Sequence, residues 1–302
     1  MAERKVTVHT LAALKARGEK AVFLTAYDYP TATFADRAGV DLLLVGDSAA
    51  MTVLGLPNTL GVGMTEMLVF ARAVSRAAKR AFVIGDMPFL SYQVSDARAV
   101  RNAGAFIGKA GCDAVKCEGG ETATVGRVRA MSEAGIAVMG HLGLTPQSLG
   151  RMGGYRVQGK SVAAAERLAD AACALEAAGA FAILIEAVPA ETAAFVRERT
   201  SIPIYGIGAG PDVDGQLVIS HDLLGNFVGD IAPRFVKRYA RVGEHVEAAF
   251  RAYADDVRSG TFPAPEHCYA IEPEAEAEIR RLRRNGSHAP DPFVVTNGGV
   301  AS

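Results

Sequence analysis

Six ionisable side chains stand directly behind short apolar runs, and their types suit metal-assisted proton abstraction. Leu42–Val45 leads into Asp47 and Ser48, Phe82–Ile84 into Asp86, Ala114–Val115 into Lys116 and Glu118, Ala137–Met139 into His141, and Ile183–Ile185 into Glu186. Taken singly, an Asp after a strand is most often a helix N-cap or a turn residue. Glu186 resists that reading, because the chain around it is apolar on both sides and half-buries a carboxylate that then needs a partner. If the runs are parallel strands, four carboxylates, one lysine and one histidine face one small cavity. Clustered acids repel one another unless a cation or a proton neutralises them, which predicts a bound metal and one acid kept for proton transfer. Carboxylate oxygens without a Cys or His cluster favour Mg²⁺ over Zn²⁺. Asp47, Asp86 and Glu118 are the expected ligands, directly or through water. A 2-oxo acid could fill the metal's open positions, and the metal would stabilise the enolate left when a neighbouring C–H loses its proton. Lys116 would offset charge on the substrate or enolate, and Glu186 would be the base.

The elements that must bring these residues together follow from periodicity. Seven β-rich runs, adding Val22–Ala26 and Ile204–Ile207 to those above, alternate with stretches of helical spacing such as Met64–Lys79, Asp96–Lys109, Ser161–Ala178 and Ala190–Glu198. An eighth, poorly defined run lies around Gln216–Ile219. This order forces parallel pairing with right-handed crossovers, and eight units predict a closed (β/α)8 barrel with reacting groups at the carboxyl ends of its strands. The glycine cluster in Ile204–Gly210 reads as a tight strand end rather than a dinucleotide loop, since Pro211-Asp212 and Asp214-Gly215 are turns. After Gly260 the composition changes. Glu276 with Arg280, and Glu278 with Arg281, support a solvated helix over 272–284, and the Gly, Ser, Pro and Asn content from Asn285 onward predicts a loose tail. Residues 1–268 are therefore expected to form one barrel domain, with 269–302 as a C-terminal extension.

Composition narrows the function classes. Lys and Arg total 32 against 33 Asp and Glu, so no basic excess exists to neutralise phosphates, and nucleic acid is not an expected partner. No apolar run approaches a membrane span or a secretory signal, which predicts a cytoplasmic protein without membrane contact. Cys112, Cys117, Cys173 and Cys268 are irregularly spaced and expected to be reduced thiols.

Several longer motifs carry a resemblance. TAYDYPTA, VGDSAAMTVLG, DMPFLSYQ, AGCDAVKCEGG, GHLGLTPQSLGRMGGYRVQGK, LIEAVP and IGIGAGPDVDGQLVISHDLLG are similar, in order and spacing, to the ketopantoate hydroxymethyltransferase family, from about Val6 to His267. The resemblance implies a TIM barrel of the phosphoenolpyruvate/pyruvate type. It also implies transfer of the one-carbon unit of 5,10-methylenetetrahydrofolate to 3-methyl-2-oxobutanoate, giving 2-dehydropantoate on the route to pantothenate. By the same resemblance Asp47 and Asp86 match direct magnesium ligands, and Glu118 an acid near the metal. Ser48, Asp86 and Lys116 match groups at the keto acid, Tyr27 and His141 line its pocket, and Glu186 matches the base. The family further implies a homo-oligomer, commonly a decamer. Two stretches depart from its usual pattern: Pro57–Gly63, where an Asp-Ser/Thr-Thr-Leu-Pro-Val-Thr run is usual, and Phe70-Ala71, where a His-Thr pair is usual. Both are expected to reshape the pocket. A related magnesium-dependent aldolase or C–C lyase acting on another 2-oxo acid without folate is the alternative enzymatic reading, and a non-catalytic barrel the alternative outside enzymes.

Overall fold

A computed structural model describes residues 4–229 and 233–285. Eight strands form a closed parallel barrel in chain order: β1 Ala21–Thr25, β2 Leu42–Val45, β3 Phe82–Asp86, β4 Ala114–Glu118, β5 Val138–Gly143, β6 Ala182–Glu186, β7 Ile204–Ile207 and β8 Gly215–Val218. Closure is made by β8 against β1, with Leu217 opposite Phe23. The helices are α1 Val8–Arg17, α2 Tyr29–Arg37, α3 Ala49–Thr52, α4 Met64–Ala77, α5 Asp96–Ala105, α6 Thr122–Glu133, α7 Leu149–Met152, α8 Val162–Ala177, α9 Ala190–Glu198, α10 Ser220–Leu224, α11 Val242–Ser259 and α12 Pro273–Asn285. Side-chain oxygens of Asp28, Ser95 and Ser161 accept from the first-turn N–H groups of α2, α5 and α8, so these crossover helices start where the sequence supplies a cap.

Period-two alternation divides the core into two layers. Inward residues such as Phe23, Leu42, Leu44, Phe82, Ile84, Met139 and Leu184 fill the barrel. Outward ones such as Leu43, Val45, Val83, Val115, Val138 and Ile183 pack under the helix ring. The stretch expected to be helical over Asp96–Lys109 keeps α-helical pairing to Ala105 and then widens into a π-turn over Phe106–Ala110.

The chain divides into two compact units, 1–244 and 245–302, so the composition change after Gly260 lies inside the second. In that unit the Phe262 ring meets Tyr253 edge-on and His267 at a tilt, at 5.5 and 5.1 Å between centroids. Helix α12 carries the Glu276–Arg280 and Glu278–Arg281 pairs that its spacing predicts. From residue 286 the expected tail lies outside the described residues. All four cysteines are free thiols. Among the described residues no helix is long and apolar enough to cross a membrane.

Candidate active site

The strands run further than their apolar parts. Residues 82, 84 and 86 of β3, 114, 116 and 118 of β4, and 182, 184 and 186 of β6 share the inner face by alternation, and the last of each series is a carboxylate. Asp86, Lys116, Glu118, His141 and Glu186 are thus strand residues rather than residues just past strand ends. Main-chain pairing continues through them, with Asp86 opposite Lys116 and Glu118 opposite His141, although the inward side chains have turned polar. Asp47 and Ser48 follow β2, and Tyr27 follows β1, all on the same rim.

The polar side chains form one continuous line of contacts. The Asp47 backbone N–H donates to Asp86 Oδ2 at 3.0 Å. Lys116 Nζ lies 2.9 Å from Asp86 Oδ1, 3.5 Å from Glu118 Oε1 and 3.2 Å from His141 Nδ1. His141 Nδ1 also lies 3.3 Å from Glu118 Oε1, and its Nε2 3.3 Å from Glu186 Oε2, an ion-pair distance without hydrogen-bond alignment. Tyr27 and Ser48 hydroxyls pair at 2.8 Å beside Asp47. Except for Glu186, which keeps 16% of its side chain exposed, the charged groups of this line are buried.

Burial sets the electrostatics, and neighbours decide its sign. It pushes the Asp47 carboxyl well above the usual carboxylate range, with Asp86 and Glu118 adding to the effect. Asp86 is also raised by burial, against the pull of Lys116. Burial would raise Glu118 too, but Lys116 and the His141 contact outweigh it and hold that carboxyl low. Lys116 stays charged despite burial because Asp86, Glu118 and Asp47 all favour its ammonium. His141 is raised: burial and Lys116 oppose its protonation, and Glu118 and Glu186 overcome them. Burial pushes the Tyr27 phenol up to about 12, so it remains a neutral hydroxyl.

Among the described residues no three His, Cys, Asp or Glu side chains are grouped so as to hold a metal by themselves. The expected set of Asp47, Asp86 and Glu118 therefore does not close as a three-ligand cage. Glu118 has both oxygens engaged, Oε1 by Lys116 and His141 and Oε2 by the Gln147 backbone N–H at 2.9 Å. Asp47 and Asp86 do fit a hard dication. Both are buried carboxyls that burial raises, and Asp86 Oδ1, although Lys116 Nζ lies 2.9 Å away, accepts no aligned hydrogen bond. Two carboxylates suit an ion that keeps several positions for water and substrate.

Two residues of the site escape a search for ionisable strand ends. Gln147, just past β5, donates from Nε2 to Asp47 Oδ2 and to the Met87 carbonyl, both at 2.9 Å, and accepts from the Tyr92 hydroxyl at 3.0 Å. Tyr92 in turn accepts from the Glu118 backbone N–H at 2.9 Å. Their only sequence signal is a place within the long motifs DMPFLSYQ and GLTPQSLG. Of the two departures from the family pattern, Phe70 and Ala71 pack α4 into the outer core, away from the line of charged groups. The stretch 57–63 folds into a 3-10 turn over Thr59–Gly61, capped by Asn58, whose Leu60 borders a cavity beside Glu118.

Comparison with known proteins adds independent findings. A family model described as Ketopantoate hydroxymethyltransferase matches residues 5–265. A protein named 3-methyl-2-oxobutanoate hydroxymethyltransferase from Syntrophobacter fumaroxidans is 51% identical over 280 residues, 93% of this chain and 97% of its own. One of the same name from Moorella thermoacetica is 52% identical over 270 residues, 89% of this chain and 100% of its own. Among solved structures, a phosphonopyruvate hydrolase in complex with oxalate and Mg²⁺ gives a TM-score of 0.56 at 17% identity over 92% of this chain and 98% of its own. A 2,3-dimethylmalate lyase of the PEP mutase/isocitrate lyase superfamily gives 0.55 at 19%, over 92% and 95%. At such identities these structures speak to the fold alone, the closed (β/α)8 barrel.

Proposed function

The chain belongs to the ketopantoate hydroxymethyltransferase family, and from that premise we propose that it transfers a hydroxymethyl group from 5,10-methylenetetrahydrofolate to 3-methyl-2-oxobutanoate, giving 2-dehydropantoate. The observation that carries this reading is the unbroken line of polar contacts from Asp47 through Asp86, Lys116, Glu118 and His141 to Glu186. Asp47 and Asp86 are the side chains that would hold Mg²⁺ directly, with Glu118 reaching it through water. When bound, the ion supplies a Lewis acid for the carboxylate and keto oxygens of the substrate. Lys116 keeps its ammonium beside the developing enolate charge. Ser48, held by Tyr27, orients the substrate carboxylate, and His141 orients Glu186. Glu186 takes the C3 proton. Carbon C3 then forms a bond to the one-carbon unit, both C–N bonds of that unit to the folate break, and water supplies the hydroxyl. The two folate nitrogens end with the C3 proton and the remaining water proton.

By its family, the molecule is also read as a cytoplasmic homo-oligomer, decameric in its full form. The test of the chemistry is proton NMR of 3-methyl-2-oxobutanoate in D2O with protein and Mg²⁺, followed by addition of the folate. Metal-dependent loss of the C3 proton signal and then a new hydroxymethyl signal are expected. Exchange followed by product from an added aldehyde, and none from the folate, would replace this reading by an aldolase.

A further inference from the structure

Beside the line of charged groups, a cavity of about 490 Å³ opens between the segments that follow β3, β4 and β5. That volume lies within the range of sites for drug-sized ligands and exceeds what a five-carbon keto acid needs. Glu118 and Gln147 form the wall it shares with the carboxylates. Phe89 and Leu60 border it and keep part of their apolar surface exposed. Arg127, on α6, also lines the cavity. One end of its guanidinium pairs with Asp96, while its Nε is buried and donates to nothing. At the rim, Arg151 pairs with Glu121, but both side chains are half exposed or more. Such a pair is weak in water and yields readily to a competing carboxylate.

We infer that this cavity seats the one-carbon donor of the proposed reaction, a flat reduced pterin carrying an aromatic linker and a carboxylate tail. The rings cover Phe89 and Leu60, Arg127 Nε donates to an acceptor on the ring edge, and Arg151 meets the tail carboxylate. The shared wall explains how two substrates meet: the donor's one-carbon unit reaches the keto acid across Glu118 and Gln147. The inference rests on the proposed function, and its test separates the two.

KM for 5,10-methylenetetrahydrofolate, calorimetric binding of tetrahydrofolate, and donor-free C3–H exchange are measured for the wild type, Arg127→Gln and Phe89→Ala. A rise in donor KM of about tenfold or more, matched by weaker tetrahydrofolate binding and with exchange within about two-fold of wild type, is expected for both variants. Should Arg127→Gln not fold, Phe89→Ala, which trims only an exposed ring, carries the test alone. Unchanged donor KM and binding overturn the inference and leave the proposed function standing. Loss of exchange in a folded variant overturns it too, since the wall would then serve the keto acid. No exchange and no turnover in the wild type sink the proposed function itself.

Discussion

Among the acids of the cluster, Glu186 has a partner on one side only. Glu118 has both oxygens engaged, Asp47 is tied to Gln147, and Asp86 is held by the Asp47 N–H and Lys116. Among the described residues the Glu186 carboxylate forms an ion pair with His141 alone, and of the four acids it alone keeps appreciable exposure. A carboxylate oriented from one side and open on the other can receive a proton from a substrate, so Glu186→Gln should lower C3–H exchange by about a hundredfold or more. NMR exchange on variant protein with unchanged circular dichroism measures this, and a near-normal rate would remove Glu186 from the role of base. Legibility in the sequence followed charge. A carboxylate amid Ile and Leu announces itself because burial without a partner is costly. Gln147 gave no such signal, since a buried amide with donors and acceptors matched is as quiet in sequence as any loop residue, yet it ties three strand ends together.

Position of the base is set by the elements that abut it, and Gly143 is where they come closest. The last residue of β5 adopts φ of +88°, and a Cβ there would run into the Glu186 carbonyl oxygen and the Val188 side chain. Gly143→Ala should therefore displace the end of β6, lowering exchange and thermal stability together. A variant with wild-type melting and exchange would show that β6 does not depend on this approach. A second element-scale contact fixes the entry to β3. The Asp36 carboxylate on α2 accepts from the backbone N–H groups of Lys79, Arg80 and Ala81, at 3.0, 2.9 and 2.7 Å. Burial pushes this carboxyl up, but the three donors outweigh it and hold it below its ordinary value of 3.8. A depressed folded-state value means stability that is fully present above the ordinary carboxylate range and is lost as pH falls through the folded value. Asp36→Asn should cost about 1–3 kcal/mol near neutrality by leaving buried donors poorly matched. Urea unfolding of both proteins should show that gap narrowing as pH drops below about 4, and a gap independent of pH would mean the charge contributes nothing. Sequence periodicity located these strands but ended β3, β4 and β6 early, because inward polar residues break the apolar pattern while main-chain pairing goes on.

At the scale of the molecule, the barrel is legible because seven clear units and a fainter eighth repeat one pattern, a short apolar run followed by a crossover long enough for a helix. The C-terminal unit has no such repetition. Helix α11 has no buried residue, although Val246, Phe250, Tyr253 and Val257 recur at spacings that align them on one face. Phe250 is 70% exposed and Tyr253 58%, an apolar stripe that a soluble monomer would ordinarily cover. In the homo-oligomer proposed from the family, a second copy would supply the cover, because it brings the same apolar chemistry and closed symmetry limits growth. Light scattering on the eluting protein should then give a mass several times 31.6 kDa. Phe250→Asp buries a charge if the stripe is an interface and leaves it in water if not, so it should lower that mass while far-ultraviolet circular dichroism stays unchanged. A wild-type mass of one chain would overturn the oligomer, and an unchanged mass in the variant would move the interface to another face of the molecule.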